Sequence, residues 1–376
     1  MIETLLGGLT PQKFLDEYWQ KKPLLIRQAV PGFQGLLSPP QIRELAANED
    51  AESRLFWQNG KAWQLGHGPF RKKDFPKSGP WTVLVQGLNL LSDEADALLR
   101  KFSFVPYTRL DDLMVSYATD GGGVGPHFDS YDVFLLQGLG QRRWQIGAQQ
   151  DLTLVEDAPL RILKHFTVED EWVLDPGDML YLPPQYAHNG IAIGECMTYS
   201  IGFRAPSARE LTAAFLGFLE ERLQPEGLYA DPDLQATDEP AAIPPDMSKR
   251  VAEMLARIQW AQHDVTEFLG QYLSEPKPHV VFDYPDEELT PAAFKKAALK
   301  SGIRLDLQTQ MLYTPGKFFL NGEIVIIPVL DARQFQRLAN ERTLSDLEDL
   351  SKEGWALLCE WYDDGFLHLG KAATGR

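Results

Sequence analysis

The chain has 376 residues, of which 44% are apolar and 24% charged, and its formal net charge is −17. This length allows two or three domains, and the composition is typical of a folded globular protein rather than a disordered or fibrous one. The acidic excess argues against general nucleic-acid binding, which needs clustered Lys and Arg, and it favours a basic partner. Acidity that only keeps the protein in solution is the alternative explanation.

The N-terminal sequence has no basic segment followed by an apolar stretch, and the apolar run 324–330 is too short to cross a bilayer. We therefore expect a cytoplasmic protein with no membrane partner. Cys196 and Cys359 are the only cysteines and lie far apart in the sequence, so they form neither a disulfide framework nor a zinc ribbon. A bound metal would have to use histidine and carboxylate ligands.

In chain order, the first predicted element is a helix that starts at Thr10 and Pro11, an N-cap and first helical position. From Leu113 to about Phe203, short β-rich runs alternate with Gly, Pro and Asp. Many short strands at this spacing are typical of a barrel or a sandwich.

The pattern becomes helical after Pro206, with one helix predicted over 209–223 and another near 247–273. A Pro-rich acidic connector, residues 224–246, lies between them.

The last region begins with a helix that Thr290 and Pro291 start and Gly302 ends. Strand-like runs follow at 303–307 and 324–328, with a turn signal at Asn321 and Gly322, and two further helical stretches come after them.

This last region is similar to a winged-helix domain, a fold often associated with DNA. Residues 286–376 hold 11 Lys and Arg against 14 Asp and Glu, a local charge of −3, so no direct DNA binding is expected. The predicted organisation is an α+β chain with a β-barrel domain at 1–206, a helical region at 207–280 and a winged-helix-like domain at 281–376.

His127 and Asp129 are two residues apart, a spacing that points both side chains to one face of an extended strand. Downstream, the run PGDMLYLPPQYAH predicts a tight turn followed by a strand that ends in His188, the layout of a barrel's closing strand. Two imidazoles and one carboxylate form the facial triad that binds Fe(II) and leaves coordination positions open for a cosubstrate and O2. The same ligands also suit zinc, manganese or nickel.

At these residues the sequence resembles the JmjC-type, cupin-fold oxygenases, and more closely the bacterial ribosomal oxygenases. The resemblance is carried by two segments, FLDEYWQKKPLLIRQAVPGF and GPHFDSYDVFLLQGLGQRRWQIG. It implies a double-stranded β-helix barrel, Fe(II) bound by His127, Asp129 and His188, and 2-oxoglutarate and O2 as cosubstrates. It also implies hydroxylation of an arginine in the sixteenth protein of the large ribosomal subunit.

The family anchors the distal carboxylate of 2-oxoglutarate on a basic residue of the strand after the metal motif, which here matches Arg142. A guanidinium suits that role because it offers two parallel donors to a carboxylate. Arg143 is the alternative, but strand alternation puts Arg142 on one face with Trp144 and Ile146 and Arg143 on the other.

A substrate guanidinium needs a carboxylate and a polar wall, and the resemblance assigns this role to the barrel mouth. Asp112 and Tyr131 are the candidates, with Asp111 and Asp132 as alternatives of opposite parity. Two serines inside the barrel are expected to add hydroxyls: Ser116 toward the cosubstrate and Ser200 toward the substrate.

Two other function classes stay open: a metal-dependent cupin acting on a small molecule, which would not need Arg142, and a non-enzymatic winged-helix regulator. The resemblance further implies a homodimer formed through the helical region and a basic ribosomal protein as partner. An acidic barrel mouth would attract such a partner.

Overall fold

A computed structural model describes residues 2–60, 62–156, 158–223 and 226–370. The start of the predicted connector, residues 224 and 225, lies outside the described residues. Within the described part of the chain, no helix combines the length and apolar character that crossing a bilayer requires.

The helices are α1 Ile2–Leu5, α2 Pro11–Glu17, α3 Pro39–Leu45, α4 Asp93–Arg100, α5 Ala208–Arg222, α6 Pro245–Leu255, α7 Gln262–Ser274, α8 Pro291–Ser301, α9 Ala332–Glu341 and α10 Lys352–Asp363. The strands are β1 Leu24–Ile26, β2 Ser53–Asn59, β3 Ala62–His67, β4 Trp81–Val85, β5 Leu110–Ala118, β6 Val133–Gln137, β7 Gln141–Gly147, β8 Asp170–Leu174, β9 Met179–Leu182, β10 Ala187–Ile193, β11 Cys196–Phe203, β12 Ile303–Leu305, β13 Met311–Thr314, β14 Lys317–Leu320, β15 Glu323–Val325, β16 Thr343–Leu344 and β17 Leu367–Leu369.

These elements form two compact units. The first comprises Met1–Ala205, Lys277–Thr309 and Leu330–Arg376, and the second comprises Pro206–Pro276 and Gln310–Val329. The division into three consecutive domains at residues 206 and 280 stays a prediction.

The first unit contains the barrel. Its larger sheet has eight strands in the order β1-β9-β6-β11-β5-β4-β2-β3, and a second sheet has the order β10-β7-β8. Strands β6, β9 and β11 are buried along their whole length, which explains their nearly continuous apolar sequences. The predicted α+β fold with a cupin barrel is confirmed.

Aromatic side chains form the centre of the core beneath the larger sheet. The ring of Phe14, from α2, lies 4.9 Å from Tyr181 and 5.4 Å from Phe134. As predicted, Thr10 caps this helix, because its hydroxyl accepts a hydrogen bond from the Lys13 N–H. The cap and the ring contacts fix α2 against strands that lead into the site.

The rest of the first unit contains α8 to α10 and the small sheet β16-β12-β17. Helix α8 begins after Thr290, whose hydroxyl accepts the Ala293 N–H, and ends at Gly302, as the sequence predicts. Strand β12 ends at Leu305, two residues before the predicted end of that run.

The second unit consists of α5 to α7 and the sheet β13-β14-β15. Asn321 and Gly322 form the predicted turn, with φ of 50° and 91°. Strand β15 ends at Val325, so the predicted strand over 324–328 was too long; Pro328 has no N–H to donate to a sheet.

The single helix predicted over 247–273 was wrong, because two helices occupy this stretch. Helix α6 ends at Leu255 and α7 begins at Gln262. The Asp264 carboxylate accepts the Ala261 N–H at 2.8 Å, so a helix N-terminus is capped in the middle of the predicted helix. Asp264 was the sequence feature that indicated a new helix start, but the apolar periodicity continues across it and predicted a single helix.

Candidate metal centre and active site

The candidate metal centre is built on a backbone pairing between His127 and His188. The His127 N–H donates to the His188 carbonyl at 2.9 Å, and the His188 N–H donates to the His127 carbonyl at 2.8 Å. This pairing is an isolated antiparallel bridge at the second residue of β10, His188, which also pairs with Ile146 of β7. The expectation that His188 ends the strand after the PGD turn was wrong: that strand, β9, ends at Leu182.

Asp129, the third candidate ligand, points its carboxylate toward the two imidazoles. One ligand atom from each of His127, Asp129 and His188 lies within 4.8 Å of the others. The Asp129 carboxylate lies 3.7 Å from the Nε2 of His188, and the two imidazole centroids are 4.2 Å apart. The Asp129 carbonyl accepts the Gln185 N–H at 2.7 Å, which fixes the segment between the two histidines.

The orientation of both imidazoles suits metal binding. The Nδ1 of His127 lies 2.9 Å from the Gly125 carbonyl, and the Nδ1 of His188 lies 2.9 Å from the Tyr186 carbonyl. A carbonyl only accepts hydrogen bonds, so Nδ1 carries the proton and Nε2 keeps its lone pair. Burial, together with the neighbouring His127, lowers the pKa of His188 to about 4, so this ring is neutral at physiological pH.

Two imidazoles and one carboxylate that converge from one side fit Fe(II) with its remaining coordination positions open. Oxygen and nitrogen donors in this ratio also admit other divalent metals, so the ligands alone leave the metal identity open.

The centre opens into a cavity of about 380 Å³ between the two sheets of the barrel. Its polar lining residues are Arg54, Thr82, Gln86, Asp111, Asp112, Ser116, His127, Asp129, Ser130, Tyr131, Arg142, Arg161, His188, Thr198 and Ser200. The expected acidic mouth is therefore found only in part, because Arg54 and Arg161 lie among the acids.

Arg142 lies in this cavity with 5% of its surface exposed. Its Nε donates to the Sγ of Cys196 at 3.4 Å, and its guanidinium carbon lies 5.7 Å from the Trp144 ring. Its Nη2 is buried without a hydrogen-bond partner. A buried guanidinium nitrogen without an acceptor is costly, and a carboxylate bound in the cavity would satisfy it.

Arg143 lies on the opposite face of β7, as strand alternation predicts. Its side chain is 45% exposed and lies 3.5 Å from the Glu171 carboxylate. It contributes nothing to the cavity lining.

Comparisons with known proteins agree with this geometry. The family model for the JmjC domain matches residues 97–211, and the model for the ROXA-like winged helix matches residues 256–368. The ribosomal protein uL16 3-hydroxylase of Escherichia coli is 33% identical over 84% of this chain and 85% of its own. The chain belongs to the JmjC-domain ribosomal oxygenases.

A further relative and a solved structure support this assignment. A probable ribosomal oxygenase of Haemophilus influenzae is 33% identical over 95% of this chain and 96% of its own. A solved structure of the E. coli ribosomal oxygenase YcfD in complex with cobalt and 2-oxoglutarate is 30% identical, with a TM-score of 0.82 over 96% of this chain and 99% of that one.

In this ribosomal oxygenase, Asp112 and Tyr131 both line the cavity. Asp112 is 7% exposed, and its Oδ2 accepts the Gly87 N–H at 3.2 Å. Burial, with the carboxylates of Asp129 and Asp112, raises the pKa of Tyr131 above its usual range, so it stays a neutral hydroxyl. A hydroxyl beside two carboxylates forms a polar wall at this end of the cavity.

The alternatives Asp111 and Asp132 differ in position. Asp111 lines the cavity, where the Nε of Arg204 lies 3.6 Å from its carboxylate. Asp132 is fully buried on the other side of the sheet, where it accepts hydrogen bonds from the Tyr181 hydroxyl at 2.6 Å and the Gln20 amide at 3.0 Å. Asp132 is a structural carboxylate that links the segment after α2, through Gln20, to β9, through Tyr181.

Ser116 and Ser200 both line the cavity and are 6% exposed. The Ser116 hydroxyl donates to the Thr198 carbonyl at 3.5 Å, which uses its hydrogen and leaves the oxygen lone pairs available as acceptors. Their roles stay predictions.

Sequence reasoning missed several residues of the site. Cys196 supports Arg142, Arg161 lies on a loop whose course periodicity does not predict, and Gly202 lines the cavity beside Asp112. Gly202 did have a signal, since a glycine inside a strand often marks a close approach.

Proposed function

We propose that this ribosomal oxygenase uses Fe(II), 2-oxoglutarate and O2 to hydroxylate an arginine side chain of the large-subunit ribosomal protein uL16. One observation carries the proposal: a single cavity contains a two-histidine, one-carboxylate donor set, a buried guanidinium with a free donor, and an acidic pair. The uL16 3-hydroxylase of E. coli and the cobalt and 2-oxoglutarate complex of YcfD support it.

In this proposal His127, Asp129 and His188 hold the iron, which, when bound, supplies the activation of O2. The Nδ1 contacts to the Gly125 and Tyr186 carbonyls keep both Nε2 lone pairs directed at the metal position.

Arg142 binds the distal carboxylate of 2-oxoglutarate through its unpartnered Nη2, and Ser116 adds a hydroxyl nearby. Cys196 and the Trp144 ring hold the guanidinium in this direction. Because the carboxylate would satisfy a buried donor, this contact also favours 2-oxoglutarate over uncharged analogues.

Asp112 pairs with the guanidinium of the target arginine, while Tyr131 and Ser200 orient it through their hydroxyls. Water exclusion follows from the burial of Asp112, Ser116, Arg142 and Ser200, each under 8% exposed.

The proposal is tested by measuring succinate formation with Fe(II) and 2-oxoglutarate, with and without purified uL16. We expect that uL16 stimulates turnover and that a chelator abolishes it. A metal cupin acting on a small molecule would show no stimulation by uL16. A regulator that binds DNA would show no turnover and a salt-dependent gel shift; the charge of −3 over residues 286–376 favours neither DNA nor RNA contacts there.

We also propose that the protein forms a homodimer through α6 and acts in the cytoplasm, where ribosomal proteins are made. Helix α5 uses its apolar stripe within the second unit, since Phe215 and Phe218 pack on Phe268. Helix α6 has no buried residue, and Val251 and Leu255 are 37% and 60% exposed. Sedimentation of the V251D/L255D variant should give a monomer; a monomeric wild type would contradict the dimer.

A further inference from the structure

A lysine of the chain itself contacts the acidic pair of the cavity. The Nζ of Lys277 lies 3.4 Å from the Oδ1 of Asp111 and 3.6 Å from the Oδ2 of Asp112. All three residues belong to the first compact unit, although 164 residues lie between Asp112 and Lys277 in the sequence. The Lys277 side chain is 31% exposed.

Lys277 approaches Asp112 from outside the cavity. Among the described residues, those that line the cavity include Asp111 and Asp112 but not Lys277. The Lys277 ammonium and the Gly87 N–H both contact Oδ2 of Asp112. The other oxygen, Oδ1, lies 3.4 Å from where a Cβ on Gly202 would be, and Gly202 does line the cavity. Oδ1 is therefore the oxygen that a ligand in the cavity can reach.

The ionised state of Asp112 depends on Lys277, whereas Asp111 has another cation nearby. Asp111 is half-exposed and has a second cation at 3.6 Å, the guanidinium of Arg204. Asp112 is 7% exposed, and burial raises its pKa while Lys277 opposes that rise. Asp111 and Tyr131 also act on Asp112, and neither is a cation. Without Lys277, a buried carboxylate beside a second acid would tend to take up a proton.

We propose that Lys277 is a positioning residue for substrate recognition: it holds the Asp112 carboxylate so that Oδ1 faces the cavity and pairs with the guanidinium of the target arginine. This inference rests on the proposed function. Lys277 does not compete with the substrate guanidinium for Asp112. Its ammonium contacts Oδ2, whereas the substrate would pair with Oδ1.

The experiment compares wild type with K277M, K277R and the matched control K296M, in which an exposed lysine of α8 is replaced. Hydroxylation of a uL16 peptide containing the target arginine is followed by mass spectrometry. We expect K277M to raise the KM for the peptide about tenfold, since a charge-assisted pair is weakened, with kcat and the KM for 2-oxoglutarate unchanged. K277R should restore the peptide KM, and K296M should leave every constant unchanged.

A second readout does not need the substrate. In protein labelled with ¹³C-aspartate, K277M should raise the pKa of Asp112 relative to wild type, and K277R should not. An unchanged Asp112 titration, or a peptide KM that stays the same or falls in K277M, overturns the role of Lys277. If wild type leaves the peptide unmodified, the proposed substrate is wrong, and the Asp112 titration alone decides whether Lys277 holds that carboxylate ionised.

Discussion

His127 and His188 hydrogen-bond to each other through their backbones in both directions, at 2.9 and 2.8 Å. The two residues are thus directly opposite each other as a hydrogen-bonded antiparallel pair, which places both imidazoles on the same face. A ligand pair fixed by main-chain hydrogen bonds keeps its geometry without a bound metal. The site is therefore preorganised, and the loss of one ligand should weaken metal binding without unfolding the barrel.

We expect H188A to lose Fe(II) binding at micromolar metal, while the control H165A, which replaces an exposed histidine outside the cavity, binds normally. Isothermal titration under anaerobic conditions measures both. Binding should also weaken as the pH falls, because the imidazoles must be neutral to bind. Normal binding in H188A would remove this residue from the ligand set.

The adjacent arginines of β7 provide a matched pair for the cosubstrate site. R142M should raise the KM for 2-oxoglutarate by about 100-fold, in line with the cost of leaving a buried carboxylate unpaired. R143M, which removes an exposed ion pair with Glu171, should change it less than twofold. Steady-state kinetics with varied 2-oxoglutarate makes the comparison. Equal effects of the two substitutions would show that the anchor lies elsewhere.

Cys196 is expected to act on 2-oxoglutarate through Arg142. C196A removes the acceptor of the Arg142 Nε–H and should weaken 2-oxoglutarate binding several-fold, about 1 kcal/mol for one hydrogen bond. The control is C359A, which alters the other buried cysteine, in α10. Direct titration of 2-oxoglutarate into each variant distinguishes them. A loss of thermal stability without a change in affinity in C196A would make Cys196 a packing residue only.

The turn before β9 should contribute to stability in a pH-dependent way. The Asp178 carboxylate is 2% exposed and accepts hydrogen bonds from Arg27 at 2.6 Å and from the Gln28 N–H at 2.9 Å. Burial by itself would raise its pKa, but the Gln28 N–H, Arg27 and the Asp175 N–H together lower it below 3.8. D178N should therefore cost about 1–3 kcal/mol of unfolding free energy at pH 7.

The sign of the pH dependence follows from this lowered pKa. The stabilisation is fully present above the unfolded pKa of about 3.9 and is lost as the pH falls through the lower folded value. Denaturant unfolding from pH 7 to pH 3 should thus show the gap between wild type and D178N closing only below about pH 4. D175N, at an exposed neighbour, should match wild type within about 0.5 kcal/mol. A gap that is constant with pH would contradict the argument.

Local signals allowed much of the fold and site to be predicted. The HxD spacing, the alternation that separates Arg142 from Arg143, and the caps at Thr10 and Thr290 each depend on neighbours within a few residues. Such features follow from backbone geometry alone. The family resemblance then supplied the connection between His188 and the first two ligands.

Features that depend on distant packing could not be predicted in this way. The contact of Lys277 with Asp112 joins a segment after α7 to a strand early in the barrel, and no local pattern marks it. The break between α6 and α7 was missed because the apolar periodicity continues across it, whereas the Asp264 cap decides the boundary. Asp132 was a candidate by sequence, but its carboxylate is buried away from the cavity, where it contacts Gln20 in the segment after α2.

The most direct test of the central claim is an incubation with uL16, Fe(II) and 2-oxoglutarate under ¹⁸O2, followed by peptide mass spectrometry. A 2-oxoglutarate-dependent arginine hydroxylase incorporates one atom of O2 into the arginine side chain and the other into succinate. We predict one ¹⁸O in a single uL16 arginine, no label in the H188A reaction, and a strong decrease with R142M. Consumption of 2-oxoglutarate without label in any arginine would contradict the account.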